Sequence, residues 1–185
     1  MALHIAFQNG KDAIYTTPLK ALSNQKFSEL RGIFGVENVG LVTGDMSINR
    51  GARITVMTTE VYRNMAWRAG NEEVDSISSE TELDNLSAVV LDEFHYMGQP
   101  GRGGVWEECV ITSPEHTQII GLSATLPNAE NLRSWMESVT NRGTSLIEAS
   151  GERPVPLRYF FGTRDGIVPL FRDNDAGPGA PKGKI

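Results

Sequence analysis

The stretch "VVLDEFHYM", Val89 to Met97, decides how the fold is interpreted. It begins with aliphatic residues, which are followed by three ionisable side chains, those of Asp92, Glu93 and His95. A short, continuously apolar run is typical of a strand that is covered on both faces of its sheet. The three ionisable groups are therefore predicted at the end of a buried strand, either as a functional site or as its ordinary polar edge.

Five other short segments, rich in Val, Ile, Leu and Thr, also predict strands: DAIYTTP, VGLVTG, ITVMTT, TQIIGLSAT and TSLIEA. Helical patterns lie between several of them, in LKALSNQKFSEL, EVYRNMAWRA, GVWEECVI and AENLRSWMESV. Strands that alternate with helices predict an α/β fold with a parallel sheet and helices on both of its faces. In such a sheet the ligand lies beyond the carboxyl ends of the strands.

The length of 185 residues, with 39% hydrophobic content, predicts one globular domain. A lone cysteine, Cys109, excludes an internal disulfide framework. No apolar stretch approaches the roughly 20 residues of a membrane span, and "MALHIAFQNG" resembles the middle of a helix rather than a secretory signal. These features predict a soluble intracellular protein without a membrane partner.

The net charge of -6 arises in one acidic stretch. Without its six carboxylates, 17 acidic residues stand against 17 basic ones, so the acidity does not exclude a phosphate-bearing partner. Residues 72–85 are predicted to form a solvated, mobile insertion loop. Residues 172–185, rich in Gly and Pro, are predicted to be a disordered tail that follows a domain at 1–171. The six acidic residues are Glu72, Glu73, Asp75, Glu80, Glu82 and Asp84.

Two chemistries compete for the ionisable triplet. A zinc peptidase needs two His four residues apart on a helix and a third ligand, whereas only His4 and His116 accompany His95 in this sequence. Phosphoryl transfer fits better, because one strand-end carboxylate can hold Mg²⁺ on a nucleotide's phosphates while its neighbour orients or deprotonates water. Asp92 would then serve the metal and Glu93 the water.

Other predicted strand ends carry groups that suit phosphates. Thr17 and Pro18 fit the N-cap and first turn of the helix that follows, and Thr59 and Glu60 open another helix in the same way. Free N–H groups at a helix start attract phosphate, and Lys20 adds a cation nearby.

The order of these segments resembles a known family. The sequence is similar, over about Met1 to Phe171, to the DExH-box helicases of superfamily two, and most similar to the superkiller-like branch, which includes exosome-associated RNA helicases. The segments that carry the resemblance to motifs Ia, Ib, II and III and their connectors are YTTPLKALSNQKF, LVTGDMSINRGARITVMTTEVYRNM, VVLDEFHYM, GRGGVWEECVI, GLSATLPNAENLRSWM and RPVPL. "VMTTEVYRNM" and the acidic insertion resemble plastid and cyanobacterial members.

This resemblance implies a RecA-like fold of the P-loop NTPase type in an ATP-dependent RNA helicase. Its partners would be ATP, Mg²⁺, single-stranded RNA, a second RecA-like domain of the same chain and an RNA-processing complex. Among intracellular compartments the plastid is favoured over the nucleus and the cytoplasm.

The resemblance also implies roles for individual residues. Asp92 would hold Mg²⁺ through water and Glu93 would be the catalytic base. His95 would link the nucleotide site to the coupling segment, Ser123, Ala124 and Thr125. The residues that would grip the nucleic-acid backbone are Thr17, Pro18, Lys20, Gly44, Asp45, Thr58 and Thr59.

Several of these residues have a purely structural alternative. His95 fits a satisfied, partly buried histidine, Ser123 and Thr125 fit caps of the next helix, and residues 43–45 fit an ordinary turn. Trp106 lies in the family-typical "GVWEE" but favours core packing. Its neighbours Glu107 and Glu108 are predicted to be helix-surface or bridging charges.

The sequence contains no G-x-x-x-x-G-K-[ST] phosphate loop. Gly10-Lys11 is predicted to be a turn between a helix and a strand. In the family the phosphate loop comes immediately before that helix, so the sequence is expected to begin just after it and to lack the second domain too. The chain alone is therefore expected to show no ATP turnover. Two alternatives stay open: a non-catalytic RNA- or protein-binding helicase lobe, and a DNA repair helicase of related fold.

Overall fold

A six-stranded sheet organises the chain. The computed structural model describes residues 1–71, 82–124, 126–148, 159–164 and 166–169. The strand order is β3-β2-β4-β1-β5-β6, and all neighbours are parallel except β2 and β3. The strands are β1 (Asp12–Thr17), β2 (Val39–Val42), β3 (Ser47–Ile48), β4 (Ile54–Thr58), β5 (Leu86–Leu91) and β6 (Gln118–Gly121).

Five of the six predicted strands are confirmed, and one is wrong. The segment TSLIEA contains no strand over its described residues 144–148, where the side chain of Ile147 is 93% exposed. Propensity favours an extended chain there, but a strand also needs a neighbour to complete its hydrogen-bonded ladder. The two-residue antiparallel strand β3 was not predicted, because so short a segment carries no periodic pattern.

Helices follow the strands as the alternation predicts. They are α1 (Ala2–Gln8), α2 (Lys20–Phe34), α3 (Thr59–Asn71), α4 (Gly104–Thr112) and α5 (Ala129–Thr140), and a short 3₁₀ helix (Phe94–Gly98) follows β5. The predicted turn between α1 and β1 is confirmed, with Gly10 at a φ of 67° that favours glycine.

Both faces of the sheet are covered, as predicted. Side chains alternate along a strand, so Ala13 and Tyr15 point into the core under α1 and α2, while Ile14 between them points into the core under α3, α4 and α5. Val89 and Val90 divide between the two cores in the same way on β5. The continuous apolar runs are thus explained by burial on both faces.

The end of the predicted insertion loop is anchored rather than solvated. Leu83 is 1% exposed and lies in the core under α3 and α4, and its carbonyl is 3.1 Å from Nε2 of His116. Glu82 forms an exposed ion pair with Arg50 at 2.9 Å. The prediction of a solvated loop is therefore wrong at Leu83, because one apolar residue in an acidic stretch is enough to anchor it. Residues 72–81 of that prediction lie outside the described residues.

The chain divides into two compact units, Met1–Thr144 and Ser145–Ile185. The first holds the sheet and all five α-helices. In the second, β7 (Phe160–Thr163) and β8 (Gly166–Pro169) form an antiparallel hairpin. The predicted domain boundary at residue 171 and the predicted tail lie outside the described residues. Within the described part of the chain, no helix has the length and apolar character needed to cross a membrane.

Candidate functional site at the carboxyl edge of the sheet

The acidic segment lies beside the central strand of the sheet. Since β5 runs parallel to β1, with Leu91 paired to Thr16, Asp92 leaves the sheet next to the end of β1. The N–H of Asp92 donates to the carbonyl of Thr16 at 3.2 Å, and the indole Nε1 of Trp106 donates to the carbonyl of Asp92 at 3.4 Å. The backbone of Asp92 is therefore fixed from two sides.

The carboxylate of Asp92 is fixed as well. The hydroxyl of Tyr15 donates to Oδ2 at 2.7 Å, and the N–H of Glu93 donates to Oδ1 at 2.9 Å. Burial, followed by the hydrogen bond to Asp92, raises the pKa of Tyr15 above its ordinary value, so its hydroxyl remains a donor. Each oxygen of Asp92 keeps acceptor capacity for a further partner.

The donor set around Asp92 fits Mg²⁺ held on a nucleotide. Among the described residues, no group of three or more His, Cys, Asp or Glu side chains lies together in a way that could hold a metal. Mg²⁺ is commonly bound by one or two carboxylates together with waters and substrate phosphates, not by a complete protein cage. One half-buried carboxylate with free acceptor capacity is suited to that arrangement.

Glu93 adopts a backbone conformation that residues other than glycine rarely take. Its φ of 51° and ψ of 46° are left-handed, and it precedes the 3₁₀ helix as the N-cap. Such a conformation costs of order 1 kcal/mol or more in a residue other than glycine, and it persists only where the surroundings impose it. Strain of this kind concentrates at functional sites.

His95 lies next to the carboxylate of Glu93 without a hydrogen bond to it. Nδ1 of His95 is 3.3 Å from Oε2 of Glu93, within ion-pair distance, yet Nδ1 is buried and has no hydrogen-bond partner. The angle, not the distance, accounts for the difference, since a hydrogen bond weakens steeply as it bends. The prediction that His95 is a satisfied histidine is therefore wrong for Nδ1.

The end of β6 reaches the acidic segment through its backbone. Leu122 donates its N–H to the carbonyl of Leu91 at 3.0 Å and accepts the N–H of Phe94 at 2.7 Å. A Cβ added to Gly121 would lie 3.2 Å from the Phe94 ring, so the glycine allows this close approach. Ser123 follows immediately and therefore lies on the same edge of the sheet as Glu93, the geometry on which the sequence argument depends.

Side-chain contacts to the coupling segment are fewer than expected. Among the described residues, no hydrogen bond joins His95 to Ser123, and Ala124 contributes no polar side chain. Thr125 lies outside the described residues. The predicted link between the two segments stays a prediction.

The residues predicted to grip a nucleic-acid backbone are brought to this edge, but most are buried. Thr17, Pro18, Thr58 and Thr59 are inaccessible, whereas Lys20, Gly44 and Asp45 are exposed. The hydroxyl of Thr59 is 3.5 Å from that of Thr16, at the start of α3 as predicted.

The N-cap predicted at Thr17 and Pro18 is wrong. α2 begins later, with Leu19 as its N-cap and no side-chain cap. The hydroxyl of Thr17 instead bonds the carbonyl of Leu19 at 3.0 Å and the hydroxyl of Ser23 at 2.7 Å. β1 continues as far as Thr17, so Thr17 turns inward, and its hydroxyl braces the start of the helix from inside.

The exposed residues form an ion pair across two loops. Nζ of Lys20 is 2.9 Å from Oδ1 of Asp45, and the hydroxyl of Thr43 donates to the same oxygen at 2.8 Å. These two hydrogen bonds hold the pKa of Asp45 below its usual value, and the bond from Lys20 has the larger effect. Residues 43–45 are thus more than an ordinary turn, because they connect the β2–β3 loop to the start of α2.

Two contributors to the site were missed by the sequence analysis. One is Tyr15, which was interpreted only as part of a strand. The other is Arg102, whose Nη2 donates to the carbonyl of Pro18 at 3.0 Å and to Oε1 of Glu60 at 2.8 Å. A lone cation within the glycine-rich "GRGG" was the available signal, since such a loop lets a side chain reach several elements.

The predictions for α4 hold. Trp106 is 0% exposed and packs in the core, where its ring stacks on Tyr96 with 5.6 Å between centroids. Glu108 bridges to Arg63 of α3 at 2.9 Å, and Glu107 lies on the surface.

An acidic pair at the carboxyl end of a buried parallel strand, in a sheet covered on both faces, defines a RecA-like α/β domain. The fold matches solved structures of Dbp5 from S. cerevisiae. The structure bound to RNA and ADP BeF3 is 22% identical, covers 76% of this chain and 34% of that chain, and gives a TM-score of 0.54. The L327V form gives a TM-score of 0.52 at 21% identity.

Residues 1–132 match the sequence family described as DEAD/DEAH box helicase. The chain belongs to this family, whose members act in a nucleotide-dependent way. The predicted resemblance to superfamily-two helicases is thereby confirmed.

Individual helicases of this family share more sequence with the chain than the solved structures do. The chain is 48% identical to a chloroplastic DExH-box ATP-dependent RNA helicase of Arabidopsis thaliana, over 87% of this chain and 13% of the relative. It is 42% identical to a probable helicase HelY of Mycobacterium tuberculosis, over 84% of this chain and 16% of the relative. It is 36% identical to the antiviral helicase SKI2 of Saccharomyces cerevisiae, over 94% of this chain and 13% of the relative. The chain thus spans only 13 to 16% of the length of these relatives.

Proposed function

We propose that the chain is part of an ATP-dependent RNA helicase that couples ATP hydrolysis to movement along single-stranded RNA. The observation that carries the proposal is the backbone bond from Phe94 to Leu122, which joins the acidic segment to the end of β6. A nucleotide-hydrolysing group and a segment able to report its state thus share one edge of the sheet. The name of the relative from Arabidopsis thaliana favours RNA as the polymer.

Asp92 and Glu93 divide the chemistry of hydrolysis. Asp92 would hold Mg²⁺ through a water on its free acceptor sites. The metal, when bound, would neutralise the charge of the phosphates. Glu93 would orient the attacking water and accept its proton on a carboxylate oxygen. Glu93 has a left-handed backbone after the end of β5, and its side chain is half exposed, so water can reach the carboxylate.

Phosphates of the polynucleotide would be bound at the starts of α2 and α3. Lys20 supplies an exposed cation and the loop of Gly44 and Asp45 supplies exposed backbone, together with backbone N–H groups of the first helical turns. The buried Thr17, Pro18, Thr58 and Thr59 would act indirectly by holding those helix starts in place. Such contacts do not identify bases, so binding should be sequence-tolerant and weaken with salt.

His95 would connect the two activities. Its unbonded Nδ1 lies beside Glu93, so a small rotation of either side chain would make or break a hydrogen bond there. The partners on the other side would be Ser123, Ala124 and Thr125. A rearrangement of this kind after hydrolysis would reach β6 without moving the sheet.

Further parts of the helicase would come from elsewhere in the polypeptide. A second RecA-like domain would supply an arginine finger, which in related enzymes contributes roughly 10³ to 10⁵ in rate. We further propose that residues 1–171 belong to the first RecA-like domain, that 172–185 form a tail, and that the helicase works in an RNA-processing complex. The chloroplastic relative favours a plastid location.

Steady-state hydrolysis by the full-length polypeptide that contains this chain tests the proposal. We expect ATP turnover that RNA stimulates more than DNA, that Glu93→Gln abolishes, and that Glu107→Gln leaves intact. Glu107 is a matched control, because it is an exposed glutamate on α4 outside the site. Residues 1–185 alone should show no turnover, since the phosphate loop is not among them.

Each contrary result rejects a different part of the proposal. Equal stimulation by DNA and RNA would favour the DNA helicase. Nucleic-acid binding without hydrolysis, in a polypeptide that folds, would favour the non-catalytic lobe.

A further inference from the structure

We propose that Tyr15 is a positioning residue for hydrolysis: its hydroxyl holds the Asp92 carboxylate in the orientation that the nucleotide's Mg²⁺ requires. The inference rests on the function proposed above, since it concerns the same site. It assigns a role to a residue that the sequence analysis treated only as part of a strand.

Both oxygens of the Asp92 carboxylate are held by donors. Oδ2 of Asp92 accepts the Tyr15 hydroxyl at 2.7 Å while Oδ1 accepts the N–H of Glu93 at 2.9 Å. Hydrogen bonds to an ionised carboxylate are about twice as strong as neutral ones. With one donor on each oxygen, the plane of the carboxylate cannot rotate without losing a bond, so the remaining acceptor sites point in fixed directions.

Tyr15 is itself held in place by its surroundings. It is 8% exposed in the core under α1 and α2, and Nζ of Lys26 lies 5.1 Å from the centre of its ring. A buried tyrosine hydroxyl needs a polar partner, and here that partner is 77 residues away in sequence. The ring holds the hydroxyl in position, and the hydroxyl holds Asp92.

The strand that carries Tyr15 also contacts other parts of the site. The carbonyl of Thr16 accepts the N–H of Asp92 at 3.2 Å, and the hydroxyl of Thr17 braces the start of α2 at Leu19. Three consecutive residues of β1 thus contact the metal-site aspartate and the proposed phosphate-binding helix start. A shift of that helix start on binding a polynucleotide would be transmitted over only two residues to the Asp92 carboxylate.

The test uses Tyr15→Phe in the full-length polypeptide, with Tyr62→Phe as the matched control. Tyr62 is equally a buried tyrosine with a hydroxyl bond, 2.6 Å to Ser113, but it lies in the other core and its hydroxyl does not bond Asp92. Both variants keep the ring and lose one buried hydroxyl, so a purely structural effect should be shared. Only the Tyr15 variant releases Asp92.

Two readouts separate positioning from packing. The Mg²⁺ concentration that gives half-maximal RNA-stimulated hydrolysis should rise about 10-fold in Tyr15→Phe, the lower limit of what loss of a ligand's supporting partner typically costs. It should not change in Tyr62→Phe. The second readout needs no turnover. The dissociation constant of Mn²⁺ from the complex with a non-hydrolysable ATP analogue, followed by electron paramagnetic resonance, should rise to a similar extent.

Opposite results have distinct meanings. An unchanged Mg²⁺ dependence and Mn²⁺ affinity in Tyr15→Phe, beside normal wild-type turnover, would overturn this inference alone and leave Tyr15 as core packing. Equal shifts in both variants would also overturn it. A wild-type polypeptide that neither hydrolyses ATP nor binds the Mn²⁺-nucleotide would overturn the proposed function and this inference with it.

Discussion

Strands β5 and β6 are neighbours with similar aliphatic sequences, yet they hold their site residues in different ways. β5 lies between β1 and β6, and its residues are buried apart from Ser87, whereas every residue of β6 is exposed or half-buried. The acidic segment after β5 is fixed by Tyr15, Trp106 and the end of β6.

The segment after β6 is fixed much less. It is tied at Leu122, and among the described residues neither Ser123 nor Ala124 makes a hydrogen bond. Folding therefore fixes the proposed hydrolytic groups in advance, while the proposed coupling groups have fewer contacts that hold them. Substitutions in the two regions should differ accordingly.

The largest expected difference comes from two tryptophans. Trp106→Ala should lower the free energy of unfolding by about 3–5 kcal/mol, because the ring is fully buried and its indole supports Asp92. The same change at Trp135, half-buried on α5, the helix that follows β6, should cost less than about 2 kcal/mol. Urea denaturation of the two variants measures both values. Equal losses would show that α5 is as firmly packed as α4.

A glycine pair at the start of α4 should give the next largest effect. Gly103→Ala places a Cβ 2.0 Å from the backbone carbonyl oxygen of Met97, so the segment must move, at a cost of about 1–3 kcal/mol. At Gly104 a Cβ meets nothing within 4 Å, and alanine in the first helical turn should stabilise by up to about 1 kcal/mol. Thermal unfolding should therefore move in opposite directions for the two variants. A shift in the same direction would contradict the packing described for the acidic segment.

Relief of the strained backbone at Glu93 should have a smaller, opposite effect. A left-handed residue other than glycine costs about 1–2 kcal/mol, which glycine would relieve. Glycine also raises the conformational entropy of the unfolded chain, which destabilises the fold by about 0.4–1 kcal/mol. Glu93→Gly should therefore stabilise the fold by up to about 1 kcal/mol while abolishing hydrolysis in the full-length polypeptide. Asn141→Gly, at the left-handed end of α5, should stabilise less because asparagine tolerates that conformation. A destabilised Glu93→Gly would mean that the Glu93 side chain supports the fold.

The smallest effect is expected at the surface pair of Lys20 and Asp45. Asp45→Asn should leave the melting temperature almost unchanged, because exposed ion pairs contribute little to stability. It should strengthen binding of single-stranded RNA by less than about tenfold at low salt, since Lys20 no longer has a competing carboxylate. Fluorescence anisotropy against salt concentration measures this. Glu130→Gln, in another exposed ion pair, is the control and should change nothing. Weaker binding by Asp45→Asn would show that the side chain of Asp45 itself contacts the RNA.

Sequence reasoning succeeded where the signal was local or periodic. The α-helices, five of the six sheet strands and the location of Asp92 and Glu93 at a strand end all follow from short patterns. It failed at the start of α2, where the N-cap is Leu19 instead of Thr17, and at TSLIEA, whose described residues form no strand. Leu83 also became an anchor although its surroundings are acidic.

The sequence by itself determined the α/β alternation, the family resemblance and the residue types that reach the carboxyl edge of the sheet, because these depend on neighbours within a few positions. Only the tertiary structure decided how the edge is assembled. Tyr15 contacts Asp92 across 77 residues, and Arg102 contacts Pro18 across 84. Such pairs depend on strand order and register, which place distant segments within hydrogen-bond distance without any pattern in the chain between them.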